Sequence, residues 1–346
     1  MTLATNVTSA SRLSADLKQS ASFIARIQQQ DGAIPWFAGG KLDPWDHTEA
    51  AMALSVAGYW RQAELAYNWL AKNQLIDGSW HAIYFIDQAP IGPRETNFIA
   101  YIATGVWHHF LVTGNRAFLQ ELFPCVRRAI ECVLHLQNAH GEIAWAMDSH
   151  GNAENDALIT GCASILRSLD CAIRCAQELK YECTDWIHAS AALANALRHK
   201  PERFDRTWSS KARFSMDWYY PVLAGLYNRK EAQQRLQKLW QKFVVPELGC
   251  RCVCDEPWVT IAETSELIMA LVACDKKHSA MQLFQQIQCW RDVDGGYWTG
   301  YVYRDQAIWP EEKTSWTAAA VILAADAIHE FSNGAKIFST PLKCHI

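Results

Sequence analysis

No run of about 18 apolar residues occurs anywhere in this 346-residue chain, so a membrane-spanning helix of ordinary length is excluded. An excess of positive charge is also missing: 32 Lys and Arg stand against 36 Asp and Glu, for a formal net charge of −4. No basic stripe is available to track a phosphate backbone, so nucleic acid is not an expected partner. The opening residues, MTLATNVTSASRLSADLKQS, lack a basic region followed by an apolar run. No secretory signal is expected from them, and the localisation read from this is cytoplasmic. Linkers rich in Pro, Gly and Ser are absent, so the chain reads as one domain over 1–346, with 1–18 and 332–346 as peripheral tails. Alternating strand patterns are lacking too.

What is present is helical periodicity, 50% hydrophobic residues, 16 Trp and 12 Cys. Without a secretion signal the cysteines read as buried reduced thiols. The helices fall into two interleaved classes. One is amphipathic and charged: 21–30, 61–74, 117–137, 184–200, 230–243 and 278–291. The other is apolar nearly all round: 48–58, 96–114, 157–179, 217–228, 262–274 and 314–329. A helix that is hydrophobic on every side must be buried on every side. Six of these alternating with six half-polar ones, at a period of roughly fifty residues, imply an all-α ring of six hairpins, the (α/α)6 toroid.

Four segments leaving an outer helix share a pattern close to Gln-x-x-Asp-Gly-x-x-x-Trp. They are Gln28 to Trp36, Gln74 to Trp80, Gln137 to Trp145 and Cys289 to Trp298. Their glycines permit a tight reversal, and the expected role is to staple the outer helix to the loop behind it. These segments resemble the QW repeats of squalene–hopene cyclases, oxidosqualene cyclases and the toroidal β-subunits of protein prenyltransferases. The chain also resembles single-domain bacterial proteins that carry a prenyltransferase label on this toroid alone.

In a hairpin ring all inner helices run the same way, so their leading ends share one rim. The segments there are rich in carboxylates: DPWDHTEAA (43–51), GPRETNF (92–98), AENDALI (153–159), FSMDWYY (214–220), TIAETSE (260–266) and PEEKTSW (310–316). N-capping accounts for part of this. It does not account for Glu49 and Glu266, which lie inside apolar helices, or for the crowding of aromatics beside them. A carboxyl walled by aromatics has a raised pKa and can donate a proton near neutrality. The segment Asp43-Pro-Trp-Asp-His-Thr-Glu49 resembles the acid motif of class II terpenoid cyclases. That resemblance puts Asp46 on the proton-donating aspartate and Thr48 on the threonine after it. His47 stands where the second aspartate would be and Pro44 where the first would be. The competing reading makes Asp46 a plain N-cap and His47 its satisfied neighbour.

The expected catalytic set is Asp46 as acid, His47 orienting it, and Glu263 or Asp217 as the opposing base. Arg94 and Arg251 would anchor the substrate. Trp45, Trp218, Tyr220 and Trp258 would form walls, with Glu49, Glu95, Asn97, Asn155, Asp156, Glu266, Tyr303 and Trp309 completing a binding surface. Cys252, Cys254 and Asp255 do not read as zinc ligands, because Cys-x-Cys-x-Cys is not a usual zinc spacing and no His lies nearby. No cofactor is expected, and the partner is a small-molecule substrate. No Gly-rich phosphate cradle or Asp-rich diphosphate–magnesium motif appears, against ionisation-dependent prenyl chemistry.

Two enzymes fit such a mouth. The first, favoured by the QW-like staples, protonates a prenyl or terpenoid-like substrate and steadies the cation on aromatic faces. The alternative is an (α/α)6 glycoside hydrolase, in which two carboxylates flank a glycosidic bond as acid and base. The many polar groups at the mouth suit a hydroxylated substrate. A third reading is a ligand-binding protein without turnover.

Overall fold

The computed structural model describes residues 13–342. Its helices are, in chain order, α1 (Ala15–Ile27), α2 (Pro44–Val56), α3 (Trp60–Asn73), α4 (Thr96–Thr113), α5 (Arg116–His135), α6 (Ile159–Leu179), α7 (Thr184–His199), α8 (Ser215–Leu223), α9 (Arg229–Phe243), α10 (Ile261–Ala273), α11 (Lys277–Ile287) and α12 (Ser315–His329). The even-numbered helices form a closed inner ring, in which each packs on the one before and the one after and α12 packs on α2. The odd-numbered helices surround it. This is the (α/α)6 toroid.

Composition sorts the two rings. In α9, RKEAQQRLQKLWQKF, only Ala232, Leu236 and Phe243 are buried. In α12, SWTAAAVILAADAIH, every residue from Thr317 to Ile328 is buried. Two inner helices start or stop elsewhere than periodicity alone indicates. α2 begins at Pro44 rather than 48, because proline suits a first helical position and Asp43 caps it, accepting a bond from the Asp46 amide at 2.9 Å. α8 stops at Leu223 rather than 228. Pro221 inside it has no amide to offer the Asp217 carbonyl, which accepts instead from Arg235 Nη2 at 2.8 Å.

The four repeated segments do more than close a turn. Gln28 Nε2 donates to the carbonyl of Gly32 in its own turn (3.0 Å) and to that of Gln62 in α3 (2.8 Å). Gln74 does the same with Gly78 (2.9 Å) and Cys125 of α5 (3.0 Å), and Gln137 with Gly141 (2.8 Å) and Ala189 of α7 (3.0 Å). Each glutamine therefore ties one outer helix to the next. In the fourth copy the residue is Gln288, one before the expected position, and it accepts from the Tyr297 hydroxyl at 2.9 Å. Gly78 has φ 92°, and a Cβ there would stand 2.3 Å from the Arg128 carbonyl oxygen.

Ends of the chain that are far apart in sequence complete the outer ring. Arg291 pairs with Asp16 at 2.6 Å, and the Ser315 amide donates to the Trp36 carbonyl at 2.7 Å. The segment from 332 to 342, expected as a tail, folds across the end opposite the inner-helix N-termini. Ile337 and Phe338 are buried there, and Arg167 and Arg174 donate to the carbonyls of Thr340 and Pro341 (3.1 and 2.8 Å). The other expected tail, 1–18, lies mostly outside the described residues, but Ala15 onward is helix. Short antiparallel strands, missed by periodicity because they are two or three residues long, stand at the mouth loops. They are β1 (Arg94–Glu95) with β2 (Ala146–Met147), β3 (Val244–Val245) with β4 (Gly249–Cys250), and β5 (Trp258–Thr260) with β6 (Gly300–Val302) and β7 (Ala307–Ile308). Among the described residues no helix is long and apolar enough to cross a membrane.

Gly78 and Gly151 have similar backbone angles (φ 92° and 88°), but only Gly78 is crowded, since nothing lies within 4 Å of a Cβ at Gly151. Gly151→Ala is expected to cost about 1 kcal/mol for its backbone alone, and Gly78→Ala at least ~2 kcal/mol more, read by urea denaturation. Equal losses would show that the contact with α5 is not what fixes the turn.

Candidate active site

The mouth of the ring is built around two helices, each offering two carboxylates three residues apart. α2 presents Asp46 and Glu49, and α10 presents Glu263 and Glu266. Three residues of helix advance the chain about 4.5 Å and return the side chain to the same face. The result is two layers. The upper pair, Asp46 (8% exposed) and Glu263 (7%), still touches solvent, whereas Glu49 (1%) and Glu266 (0%) are sealed beneath.

Aromatic donors hold the lower layer. Glu49 Oε1 accepts from the Tyr101 hydroxyl (2.7 Å) and Trp45 Nε1 (3.2 Å), and its Oε2 from Trp316 Nε1 (2.9 Å). Trp45 stacks on Tyr101 with ring centroids 4.6 Å apart, and Tyr220 meets Trp45 edge-on at 5.5 Å. Glu266 Oε2 accepts from the Tyr219 hydroxyl.

Burial raises the pKa of each member of this cluster for which a shift is resolved. Glu49 is pushed up to about 7 against its three donors, and Glu95, at the start of α4, also to about 7. Asp46 and Glu266 are held well above the usual carboxylate range by burial and by their negative neighbours. Asp43 is raised by burial as well, in spite of bonds from the Asp46 amide and Trp36 Nε1. Among the described residues no Lys or Arg forms an ion pair with Asp43, Asp46, Glu49, Glu263 or Glu266, whereas Asp77, Glu142 and Asp156 each have one and Asp170 has two. A cationic partner would favour the ionised form; without one, burial and the negative neighbours favour the protonated form of Asp46.

Several expected residues do not join this cluster. His47 does not orient Asp46: Nδ1 accepts from the Ile34 amide at 3.0 Å and Nε2 meets the Ala66 carbonyl at 2.9 Å, so its ring bridges a loop and α3. Burial lowers its pKa to about 4, and it is neutral. Asp46 is not the N-cap, which is Asp43, and Thr48 is inside the helix, donating to the Pro44 carbonyl at 2.7 Å. Arg94 pairs with Asp77 and also donates to the Asp148 carbonyl at 2.5 Å, so it fastens loops rather than gripping a substrate. Arg251 is occupied by the Tyr303 hydroxyl (3.0 Å) and the Lys242 carbonyl (2.8 Å). Trp218 faces outward, stacked on Phe243 at 5.1 Å.

Asp217 turns to Thr160, whose hydroxyl donates to it at 2.7 Å, and its charged neighbours are Asp205 and Arg235. Asp156 is engaged by Thr207 through amide and hydroxyl (2.6 and 2.8 Å), and Asn155 is exposed with its carbonyl bound by Arg206. Asn97 is half-buried in the first turn of α4. Trp258 and Trp309 pack edge-on at 5.0 Å in the flap formed by β5, β6 and β7, which also carries Tyr303. Among the described residues no group of three or more His, Cys, Asp or Glu is placed to hold a metal ion. Asp255 pairs with Arg213 at 3.0 Å.

Tyr101 was missed. Its signal was a polar tip in an apolar helix one turn beyond Asn97, the same i, i+4 relation that pairs side chains on a helix face.

The folded cluster keeps protons that an unfolded chain would release near an ordinary carboxylate pKa. Stability is therefore greatest below about 4.5 on this account and falls as pH rises towards 7 and beyond. Glu49 alone contributes a decline on the order of 3 kcal/mol. Urea denaturation at pH 5 and pH 8 is expected to show a smaller difference for Glu49→Gln than for the parent chain. An unchanged difference would mean that Glu49 does not titrate with folding.

No family model matches this chain. The chain is 46% identical over 321 residues to the MMP endo-(1,4)-3-O-methyl-α-D-mannosidase of Mycolicibacterium hassiacum, spanning 93% of this chain and 88% of that protein. Similar solved structures include a glycosidase point variant (TM-score 0.73, 14% identity, 92% of this chain and 97% of the other) and a D-mannose isomerase (0.71, 12%, 91% and 96%). A third is a GH63 mannosylglycerate hydrolase from Thermus thermophilus (0.68, 13%, 88% and 98%). At these identities the structures speak for the toroid alone. The mannosidase relative overturns the cyclase and prenyltransferase reading, and with it the functional meaning given to the QW-like segments. The chain belongs to the family of that endo-mannosidase and is a glycoside hydrolase-like enzyme on an (α/α)6 toroid.

Proposed function

We propose that this enzyme hydrolyses internal α-(1,4) bonds of a 3-O-methylated mannoside chain, with Asp46 as general acid and Glu263 as general base. The observation that carries the reading is the pair of solvent-touching carboxylates on α2 and α10, found in a chain 46% identical to a mannosidase. Asp46 delivers its proton to the glycosidic oxygen as the bond to the anomeric carbon breaks. Glu263 takes a proton from the water that attacks that carbon, so the hydroxyl adds to the sugar and both carboxyls are reset by solvent. α12 lies between α2 and α10 in the ring. With neighbouring axes about 8–10 Å apart, next-nearest ones are about 15 Å apart, which leaves room for sugar and water between facing carboxyls. That geometry supports inversion of the anomeric centre.

A second observation favours methylated substrate. The loops leading into α2, α4 and α12 expose Phe37 (37%), Ile86 (55%), Ile91 (52%) and Trp309 (56%). These loops are neighbours: Leu42 bridges Tyr84, Ile83 bridges Ile91, and Trp36 bonds Ser315. Water gains little from such a rim, but methyl ethers gain about 0.8 kcal/mol per buried carbon, about fourfold in binding each.

Asp46→Asn and Glu263→Gln are each expected to lower kcat/KM on a 3-O-methylated α-(1,4)-mannooligosaccharide by about 10²–10⁴. The first anomer released, followed by proton NMR, should be inverted. Full activity in either variant removes that residue from the mechanism. Trp309→Ser should reduce kcat/KM on methylated chains about fourfold more than on unmethylated ones; an equal loss on both would assign the rim to general packing.

A further inference from the structure

Below the acid and base lies a second pair of carboxyls that hydrolysis does not itself require. The sealed oxygens of Glu49 and Glu266 are not alike. Glu49 receives three N–H or O–H donors, from Tyr101, Trp45 and Trp316. That shell solvates an anion. Glu266 receives one donor, from Tyr219, and its Oε1 is fully buried with no partner. A naked carboxylate oxygen in such a place costs far more than a neutral carboxylic acid.

We infer that Glu49 carries the negative charge of the lower layer and Glu266 its proton, and that Glu49 is a positioning residue whose anion, one helical turn below Asp46, joins Asp43 in keeping the acid protonated. The reading rests on Asp46 being the acid. The groups that face this pair are Asp43 at the cap of α2, Asp46 of α2, Tyr101 of α4, Tyr219 and Tyr220 of α8, Cys250 of β4, Cys252 just after it, and Glu263 of α10. From α12 comes only the neutral Trp316. Each titratable member of that set is acidic, so charge lost at Glu49 is not replaced by a neighbouring cation. Burial raises all three groups, Glu49 to about 7 against its three donors and Glu266 and Asp46 well above the usual carboxylate range.

The test is the pH profile of kcat/KM on a 3-O-methylated α-(1,4)-mannooligosaccharide. In the parent enzyme the alkaline limb reports the loss of the Asp46 proton. Glu49→Gln removes the charge below Asp46, and the limb is expected to move to lower pH by about one unit, a tenfold loss of activity on that limb. Glu266→Gln replaces one neutral group by another and is expected to leave the limb where it is. A purely structural role for Glu49 would lower activity evenly at all pH without moving the limb, and that result overturns the inference. So does a shift caused equally by Glu266→Gln. Should Glu49→Gln not fold, Trp316→Phe takes one donor from the anion, making it harder to ionise; the limb should then move in the same direction by a smaller amount, and a stationary limb again overturns the inference. If Asp46→Asn retains full activity, the acid assignment fails first, and this result is distinct from an unmoved limb in an enzyme that needs Asp46.

Discussion

Six helices running parallel inside a closed ring point their positive ends at one opening, and this arrangement governs the remainder of the molecule. Each helix N-terminus carries roughly half a positive charge on unsatisfied amides. Gathering six of them at one mouth is unfavourable unless acceptors sit among them. Asp43 accepts one of these amides, and Asp46, Asp217, Glu95 and Glu263 stand beside the others, over the first turns of α2, α8 and α10 and at the entry to α4. A site rich in carboxyls is thus in part a consequence of the fold. What catalysis adds is the choice of which carboxyls are left without a donor shell and open to solvent.

The ring was legible in the sequence because its signal is all-round apolarity, which needs no knowledge of neighbours. The site was legible only as a zone. Consecutive residues of a helix point about 100° apart, so Asp46 faces the lumen while His47, next in sequence, faces α3 and the Ala66 carbonyl. The same rotation separates Trp218, which stacks on Phe243, from Tyr219 and Tyr220, which look inward. Capping preferences alone do not fix that phase. The Asp-Pro pair at 43–44 does fix it, since a proline at the first helical position makes Asp43 the cap and frees Asp46. Arg94 was beyond reach for a different reason. Its partners, Asp77 and the Asp148 carbonyl, come from loops on either side in sequence that only the closed ring brings together.

The QW-like segments pointed to a cyclase because they solve a problem that every such ring has. An outer helix must end, reverse sharply and hold its neighbour, and a glutamine reaching two carbonyls across a glycine turn does all three. A motif that serves packing follows the fold rather than the chemistry, and so it recurs where activities differ. The acid motif was ambiguous for a related reason: protonating an alkene and protonating a glycosidic oxygen both need a desolvated carboxyl. The number of polar groups separates the two. A hydrocarbon pocket tolerates one acid among aromatics, whereas Asp46, Glu49, Glu95, Asn97, Glu263 and Glu266 together demand a substrate that can satisfy them.

The aromatics at this mouth then have a role that hydrophobicity does not describe. Trp45, Tyr101, Trp316 and Tyr219 each offer one N–H or O–H to a buried carboxyl while bringing no charge. A lysine or arginine in any of those places would supply stronger bonds, and would also hold Asp46 ionised and unable to serve as the proposed acid. Water would do the same by raising the local dielectric. Stacking fixes the donors in place, as the 4.6 Å contact of Trp45 with Tyr101 shows, so they need not reorganise when charge moves. The cost falls on stability, because carboxyls kept protonated by burial weaken the fold as pH rises. An enzyme whose acid must survive at neutral pH in a nest of other acids has little choice: neutral, rigid donors are the only shell that stabilises one anion without disarming its neighbour.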